Sequence, residues 1–324
     1  MNDLLDHTRR REHKLRNRLH SALLLAGIGS VLGLSAMLVW GWAGLLWAVL
    51  AVVALLVLAP RIPPEAVMRM YRAREVDPRF SGQLGRIVDI ISRRAGLTVR
   101  PRLYVIPSAT LNAFATGTAE APTIGVTDGL LRTLSLRELA GVLAHEISHI
   151  RNNDLWVMSL ADAMSRFTQA LSTLAVMLAM FNFVTLLAGV ELVSWWAILV
   201  LYLAPLVSSL LQLGLSRARE YDADLEGAML TGDPQGLISA LAKLERRTGS
   251  FWEDLMFPMP GRRVPQPSLL RSHPLTEDRI ARLRELEKRP LQPPIVARDE
   301  RGLAPSPWQH VVLAPRLRWP GIWY

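Results

Sequence analysis

Two histidines stand four residues apart with a glutamate beside the first, in the run His145-Glu146-Ile147-Ser148-His149. On a helix, residues four apart stack on one face, so both imidazoles can reach a single ion. Glu146 lies about 100° around the helix from His145, near enough to take a proton from a water held by that ion. The chemistry this pattern supports is metal-assisted amide hydrolysis with one zinc ion per chain. The ion would polarise the scissile carbonyl and lower the pKa of its water to about 7. Glu146 would act as general base and then return the proton to the leaving amine. The chain has no cysteine, which excludes disulfides and thiolate-held zinc.

Two histidines leave such a site incomplete, because catalytic zinc usually has three protein ligands and an open fourth position. No third histidine follows at the spacing H-E-x-x-H-x-x-G-x-x-H, since position 152 is Asn and position 155 is Leu. A carboxylate on a later helix should complete a His₂Glu set. The segment Arg217-Ala218-Arg219-Glu220-Tyr221-Asp222-Ala223-Asp224 offers it, with Glu226 close behind. Spacing alone does not choose among Glu220, Asp222, Asp224 and Glu226. Glu220 is preferred for its reach, and because it leaves Asp224 one turn away to hydrogen-bond a ligand imidazole, as metal-bound histidine normally requires. Asp154 is expected in the same supporting role. Glu226 falls on a different helical face from Glu220 and is expected to matter little.

These residues need a scaffold. Ser135 and Glu138 match the capping box S-x-x-E, and Leu136, Leu139, Ala140, Leu143 and Ile147 repeat at helical spacing, so a helix is expected from about Leu136 to Asn153. Before it, Asp77–Arg94 has helical spacing. Leu103–Ile106, Asn112–Thr116 and Thr123–Thr127 read as short strands. After it, residues 217–289 are polar and mostly helical, interrupted by a loop with Pro258, Pro260, Pro265 and Pro267. Residues 290–324 read as a Pro-rich tail.

Half of the 324 residues are hydrophobic, and they are concentrated. No charge occurs between Arg18 and Arg61, a stretch about two membrane spans long. A helical hairpin is expected there, roughly Ser21–Val39 and Leu45–Ala59 with a tight turn at Trp40–Gly44. Phe167–Val190 and Leu192–Ser216, separated by Glu191, form a second apolar pair. The formal net charge is +9, Arg and Lys crowd residues 9–18, 61–74, 217–219 and 243–247, and neither turn between spans carries a basic residue. Basic flanks stay cytoplasmic, which puts both polar segments and both termini on that side. Trp40, Trp42, Trp195 and Trp196 would anchor the opposite interface. The basicity needs no nucleic acid to explain it.

The expected architecture is mainly α with a small β-sheet, combining integral membrane helices with a zincin-type catalytic domain. Its segments are a basic cytoplasmic head (1–18), a transmembrane hairpin (19–60), a first catalytic part (61–154), a second hairpin (155–216), a second catalytic part (217–289) and the tail (290–324).

The run Ser135 to Asp154, followed after the apolar pair by Ser-Arg-Ala-Arg-Glu-Tyr-Asp-Ala-Asp at 216–224, resembles the HtpX-like membrane zinc peptidases, whose wider group includes the CAAX prenyl proteases. Asn112-Ala113-Phe114-Ala115, the turn Thr231-Gly232-Asp233-Pro234, and Ser272-His273-Pro274 ahead of Arg279 and Ile280 match as well. The resemblance implies zinc on His145, His149 and Glu220, with Glu146 as general base. It implies that Asn112, Ala113, Phe114 and Ala115 form an edge strand aligning substrate, and that His273 lies near the active site; the oxyanion needs a second donor besides zinc, and His273 is the candidate. It further implies a multi-pass protein of a bacterial inner membrane with a cytoplasmic catalytic domain, acting on damaged or misfolded membrane proteins. Two other readings stand beside this one. A prenyl-protein processing peptidase would need a large intramembrane chamber, for which four spans are few. A non-proteolytic scaffold with a structural zinc would need a fourth protein ligand, and no cysteine or nearby histidine offers one.

Overall fold

A computed structural model describes residues 2–58, 63–77, 82–187, 189, 193–255, 276–286 and 292–295. His273, Glu191, the proline loop at 256–275 and the tail beyond 295 lie outside the described residues. In chain order the elements are α1 (Asn2–Leu58), α2 (Pro64–Met70), β1 (Arg74–Glu75), α3 (Gly82–Ala95), β2 (Arg102–Ile106), β3 (Ala113–Thr116) and β4 (Thr123–Thr127). Then come α4 (Asp128–Thr133), α5 (Leu136–Arg151), α6 (Asp154–Leu186), α7 (Trp195–Thr231), α8 (Pro234–Leu255) and α9 (Thr276–Leu286). Helix dominates and the sheet is small, as expected. The chain divides into two compact units, one of residues 1–61 with 156–220, the other of 62–155 with 221–324.

The first unit is built from apolar helices. α1 leaves helical geometry at Trp40 (φ −127, ψ 16) and Gly41 (φ 59, ψ −144). The second value is open to glycine at little cost. The chain then doubles back: Gly44 meets the backbone of Ala36, leaving no room for a Cβ, and Ala48 and Val52 pack beside Ile28 and Leu32. Ala161 and Met164 of α6 and Leu215 of α7 complete that cluster. Asn182 brackets the α6–α7 connection, donating to the Val193 carbonyl at 2.8 Å and accepting from its N–H at 3.1 Å. Leu46, Trp47, Met180, Phe181, Phe183, Leu187, Trp196 and Leu206 are all exposed. An apolar surface of this extent demands a non-aqueous neighbour. Three helices among the described residues are long and apolar enough to cross a membrane, within Leu19–Ala54, Asp154–Leu186 and Trp195–Thr231. The first is the doubled-back one.

The second unit holds the sheet, in the order β1-β2-β4-β3. β2 and β4 run parallel, while β1–β2 and β3–β4 are antiparallel. β3 is therefore an edge, with one row of backbone groups unpaired by strands. α3 and α5 supply the core under the sheet: Ile87, Val88 and Ile91 pack with Leu139, Leu143 and Ile147, and with Ile124 and Val126. Fully burying such a side chain stabilises by about 1.5–3 kcal/mol. Ser135 caps α5 with both bonds of the capping box in place. Glu138, besides closing the box, accepts from Lys243 at 2.7 Å and from Ser239 of α8. Arg137 pairs with Asp233 at the start of α8. The first turn of α5 is thus tied to α8.

Candidate metal centre and active site

α5 is buried from Glu138 to Ile150 without a break. A helix enclosed this way can carry polar side chains only if each is partnered, since an unpartnered buried polar group costs about 1–3 kcal/mol. The partners of the histidine motif therefore define the site. His145 places Nδ1 2.9 Å from Asp224 of α7, and His149 places Nδ1 2.8 Å from Asp154 at the start of α6. A carboxylate on Nδ1 keeps the proton there and leaves Nε2 with its lone pair. The two Nε2 atoms face each other at 3.2 Å. Glu220 joins them, and one ligand atom from each of His145, His149 and Glu220 lies within 4.8 Å of the others. All three residues are buried, and together they could hold one metal ion.

Glu146 stands next to this group. Its Oε2 accepts the backbone N–H of Ala115 at 3.0 Å. Ala115 belongs to β3, and this N–H points away from β4, from the open edge of the sheet toward the motif helix. Phe114 packs against Tyr71, with ring centroids 5.2 Å apart and planes tilted by 55°. Asn112 precedes β3; its N–H donates to Thr127 Oγ1 at 3.0 Å and its carbonyl accepts the Thr127 N–H at 2.9 Å. The structure brings His145, Glu146, His149, Glu220, Asp224, Asp154 and Ala115 together. Asn112, Ala113 and Phe114 lie along the same edge segment.

Two residues go beyond what spacing indicated. Arg279 of α9, only 4% exposed, donates to both oxygens of Asp224, each at 2.6 Å. Burial would push the Asp224 carboxyl up, but the Arg279 charge and hydrogen bonds outweigh it and, with His145, hold it below its ordinary value. Asp224 thus stays ionised and able to hold the His145 proton. One turn along, Arg282 lies over the Tyr221 ring at 3.7 Å. The resemblance noted the helix of Arg279 without giving the arginine a role, and only an unusual arginine opposite Asp224 in the fold reveals one. Glu226, from which spacing led us to expect little, is the second. Its helical face is indeed not that of Glu220, but it is the face packed on α5. Glu226 is buried and accepts from Ser148 Oγ at 2.7 Å, inside the motif itself.

Residues 78–287 match the model described as peptidase family M48. A protease HtpX homolog of Desulfatibacillum aliphaticivorans is 34% identical over 278 residues, covering 82% of this chain and 89% of its own. Another, of Paraburkholderia phytofirmans, is 34% identical over 289 residues, covering 84% of this chain and 98% of its own. Among solved structures, Ste24p of S. mikatae aligns with a TM-score of 0.49 and 21% identity, over 84% of this chain and 66% of that one. The family match spans strands β2 to β4, the histidine motif, the apolar pair and α9, and with it this chain belongs to peptidase family M48, as a membrane metallopeptidase.

Proposed function

We propose that the chain is a zinc endopeptidase that spans the membrane four times, keeps its catalytic residues on the cytoplasmic side of a bacterial inner membrane, and cleaves damaged or misfolded membrane proteins. The observation that carries the chemistry is the convergence of His145, His149 and Glu220 beside Glu146. The donor set fits zinc. Zinc–nitrogen bonds of about 2.0–2.1 Å at tetrahedral angles put neighbouring nitrogens about 3.3 Å apart, and the two Nε2 atoms stand 3.2 Å apart. Two neutral imidazoles and a carboxylate leave a fourth position for chemistry.

When bound there, zinc supplies a Lewis acid for the scissile carbonyl and a lowered pKa for water. The residues of the chain do the rest. Asp224 and Asp154 hold the histidine rings in one tautomer and orientation, and Arg279 keeps Asp224 charged. Glu146 accepts the proton of the attacking water and passes it to the leaving nitrogen. The open edge of β3, including Asn112, Ala113, Phe114 and Ala115, pairs with an extended substrate so that its carbonyl faces the site. His273, outside the described residues, donates to the oxyanion. The doubled-back α1 together with α6 and α7 supports the reading of four crossings, and the basic clusters support a cytoplasmic orientation.

The test is zinc quantitation together with casein cleavage by the detergent-purified protein, wild type beside Glu146→Gln. Wild type should hold about one zinc per chain and cleave. The variant should keep the zinc and lose cleavage by a factor of at least about 100, at the low end of what general bases contribute. Undiminished cleavage would remove Glu146 from the mechanism, and loss of zinc would make it a ligand instead.

A further inference from the structure

The histidine pair and Glu220 are on different helices, so the site exists only while α5 and α7 keep one spacing. Side-chain flexibility of a glutamate cannot compensate much, because a metal needs its ligands placed to within a few tenths of an ångström. Two adjacent residues of α7, six and seven positions beyond Glu220, bear on that spacing.

Gly227 is the first. A Cβ built on it would lie 3.0 Å from the His145 backbone nitrogen and 3.2 Å from the His145 Cα, so the helices would have to separate by a few tenths of an ångström. The backbones of α7 and α5 therefore touch at the residue that carries a ligand imidazole. Glu226 is the second. Its carboxylate accepts from Ser148 Oγ at 2.7 Å and from Asn152 Nδ2 at 2.6 Å, and it pairs with Arg151. Asn152 also donates to Ser148 Oγ at 3.2 Å. The Glu226 side chain is 9% exposed, so these are bonds made out of bulk water, where one charged partner is worth most. One anion thus grips the last turn of α5 on both sides of His149, at Ser148 and at Arg151–Asn152, while Gly227 lets the helices close at His145.

We propose that Glu226 and Gly227 form a clasp that sets the α5–α7 distance, making Glu226 a positioning residue that acts on the metal centre through Ser148, Arg151 and Asn152. The inference rests on the reading of His145, His149 and Glu220 as metal ligands. It predicts that zinc affinity depends on a carboxylate two helical turns from the third ligand and on another face.

Full-length wild type, Glu226→Ala, Glu226→Gln, Ser148→Ala and Gly227→Ala are compared by three readouts: zinc dissociation constant from chelator competition, peptide hydrolysis with and without excess zinc, and thermal midpoint. Partners that orient metal ligands typically carry 10–100-fold in affinity. Glu226→Ala should weaken zinc binding about tenfold or more, and excess zinc should restore much of kcat while KM stays unchanged. Glu226→Gln, which retains one acceptor oxygen, should fall between it and wild type. Gly227→Ala should weaken zinc although it removes no bond. Should Glu226→Ala fail to fold, Ser148→Ala decides, since it deletes one bond of the clasp and leaves Arg151 and Asn152 in place; it should weaken zinc several-fold. Wild-type zinc affinity in Glu226→Ala, or in Ser148→Ala where it stands in, overturns the clasp, even with a lowered thermal midpoint. A wild type that binds no zinc overturns the metal-centre reading itself, and the clasp with it, and is seen before any variant is made.

Discussion

The amide of Ala115 donates to the carboxylate of Glu146 at 3.0 Å, joining the edge of the sheet to the centre of the motif helix. One bond holds the candidate base in place and fixes where the edge strand stands relative to it. Both residues are buried or nearly so, which makes the bond stronger than its neutral donor would be in water.

Ala115→Pro deletes this donor and leaves the β3–β4 ladder intact. The N–H faces away from β4, and an edge position tolerates proline when the ladder loses nothing. Hydrolysis should fall about 10–100-fold, the usual scale for losing an orienting partner, while zinc content is unchanged. Paired zinc and peptidase assays check it. Full activity would mean that Glu146 is held adequately by other groups.

The ligand assignment makes a graded series. Glu220→Ala should empty the site at ordinary zinc levels, because it removes a metal bond. Asp224→Ala and Asp154→Ala remove only the carboxylates on His145 Nδ1 and His149 Nδ1, and each should weaken zinc about 10–100-fold and be rescued in part by added metal. Arg279→Ala should resemble a mild Asp224 variant, since Asp224 keeps its bond to His145 but loses its charge partner. Chelator competition across the series checks the order. A Glu220→Ala protein that retains its zinc would move the third ligand elsewhere.

Glu138 gives a dependence on pH that is separate from the metal. Burial pushes its carboxyl up, and hydrogen bonds from Lys243, Ser239 and Ser135 outweigh burial, so it titrates below its ordinary value. A carboxylate with a depressed folded pKa binds fewer protons folded than unfolded. Its stabilisation is complete above the ordinary carboxylate range and is lost as pH falls through the folded value. Glu138→Gln should therefore lower stability at neutral pH by about 1–3 kcal/mol, the scale of charge-assisted hydrogen bonds. The gap to wild type should shrink as pH falls below the ordinary carboxylate value. Denaturant midpoints at several pH values test this, and a gap that widens on acidification would contradict it.

Topology has its own test. Reporter fusions after Arg74 and after Arg247 should both report cytoplasm, and one at Glu191 should report the opposite side. His149 and Glu220 belong to one site, so the chain between them must cross an even number of times or not at all. A cytoplasmic report at Glu191 would reduce the proposed crossings to the α1 pair and leave the chemistry untouched.

Much of this protein is legible in its sequence because the forces concerned act over short separations. Helix α5 announces itself through the Ser135–Glu138 box and a 3.6-residue apolar period. Strands β2, β3 and β4 do so through short apolar runs ended by Pro107, Gly117 and the Thr127 cap. The two histidines fall on one face for the same local reason, and Asp224 follows Glu220 by one turn. The short α2 and β1 are not legible, since seven and two residues carry too little period. Nor are the relations between helices. Glu226 looks like a solvated acid on its own helix and becomes a buried acceptor only because α5 lies against that face. Arg279 is one arginine among many until α9 sets it on Asp224, fifty-five residues earlier. Gly227 looks like an ordinary helix-weakening glycine until the His145 backbone arrives beside it. Local periodicity determines which side chains share a face. Which faces meet, and so which buried charges are satisfied, is decided by packing between segments far apart in the chain, and that only the tertiary structure supplies.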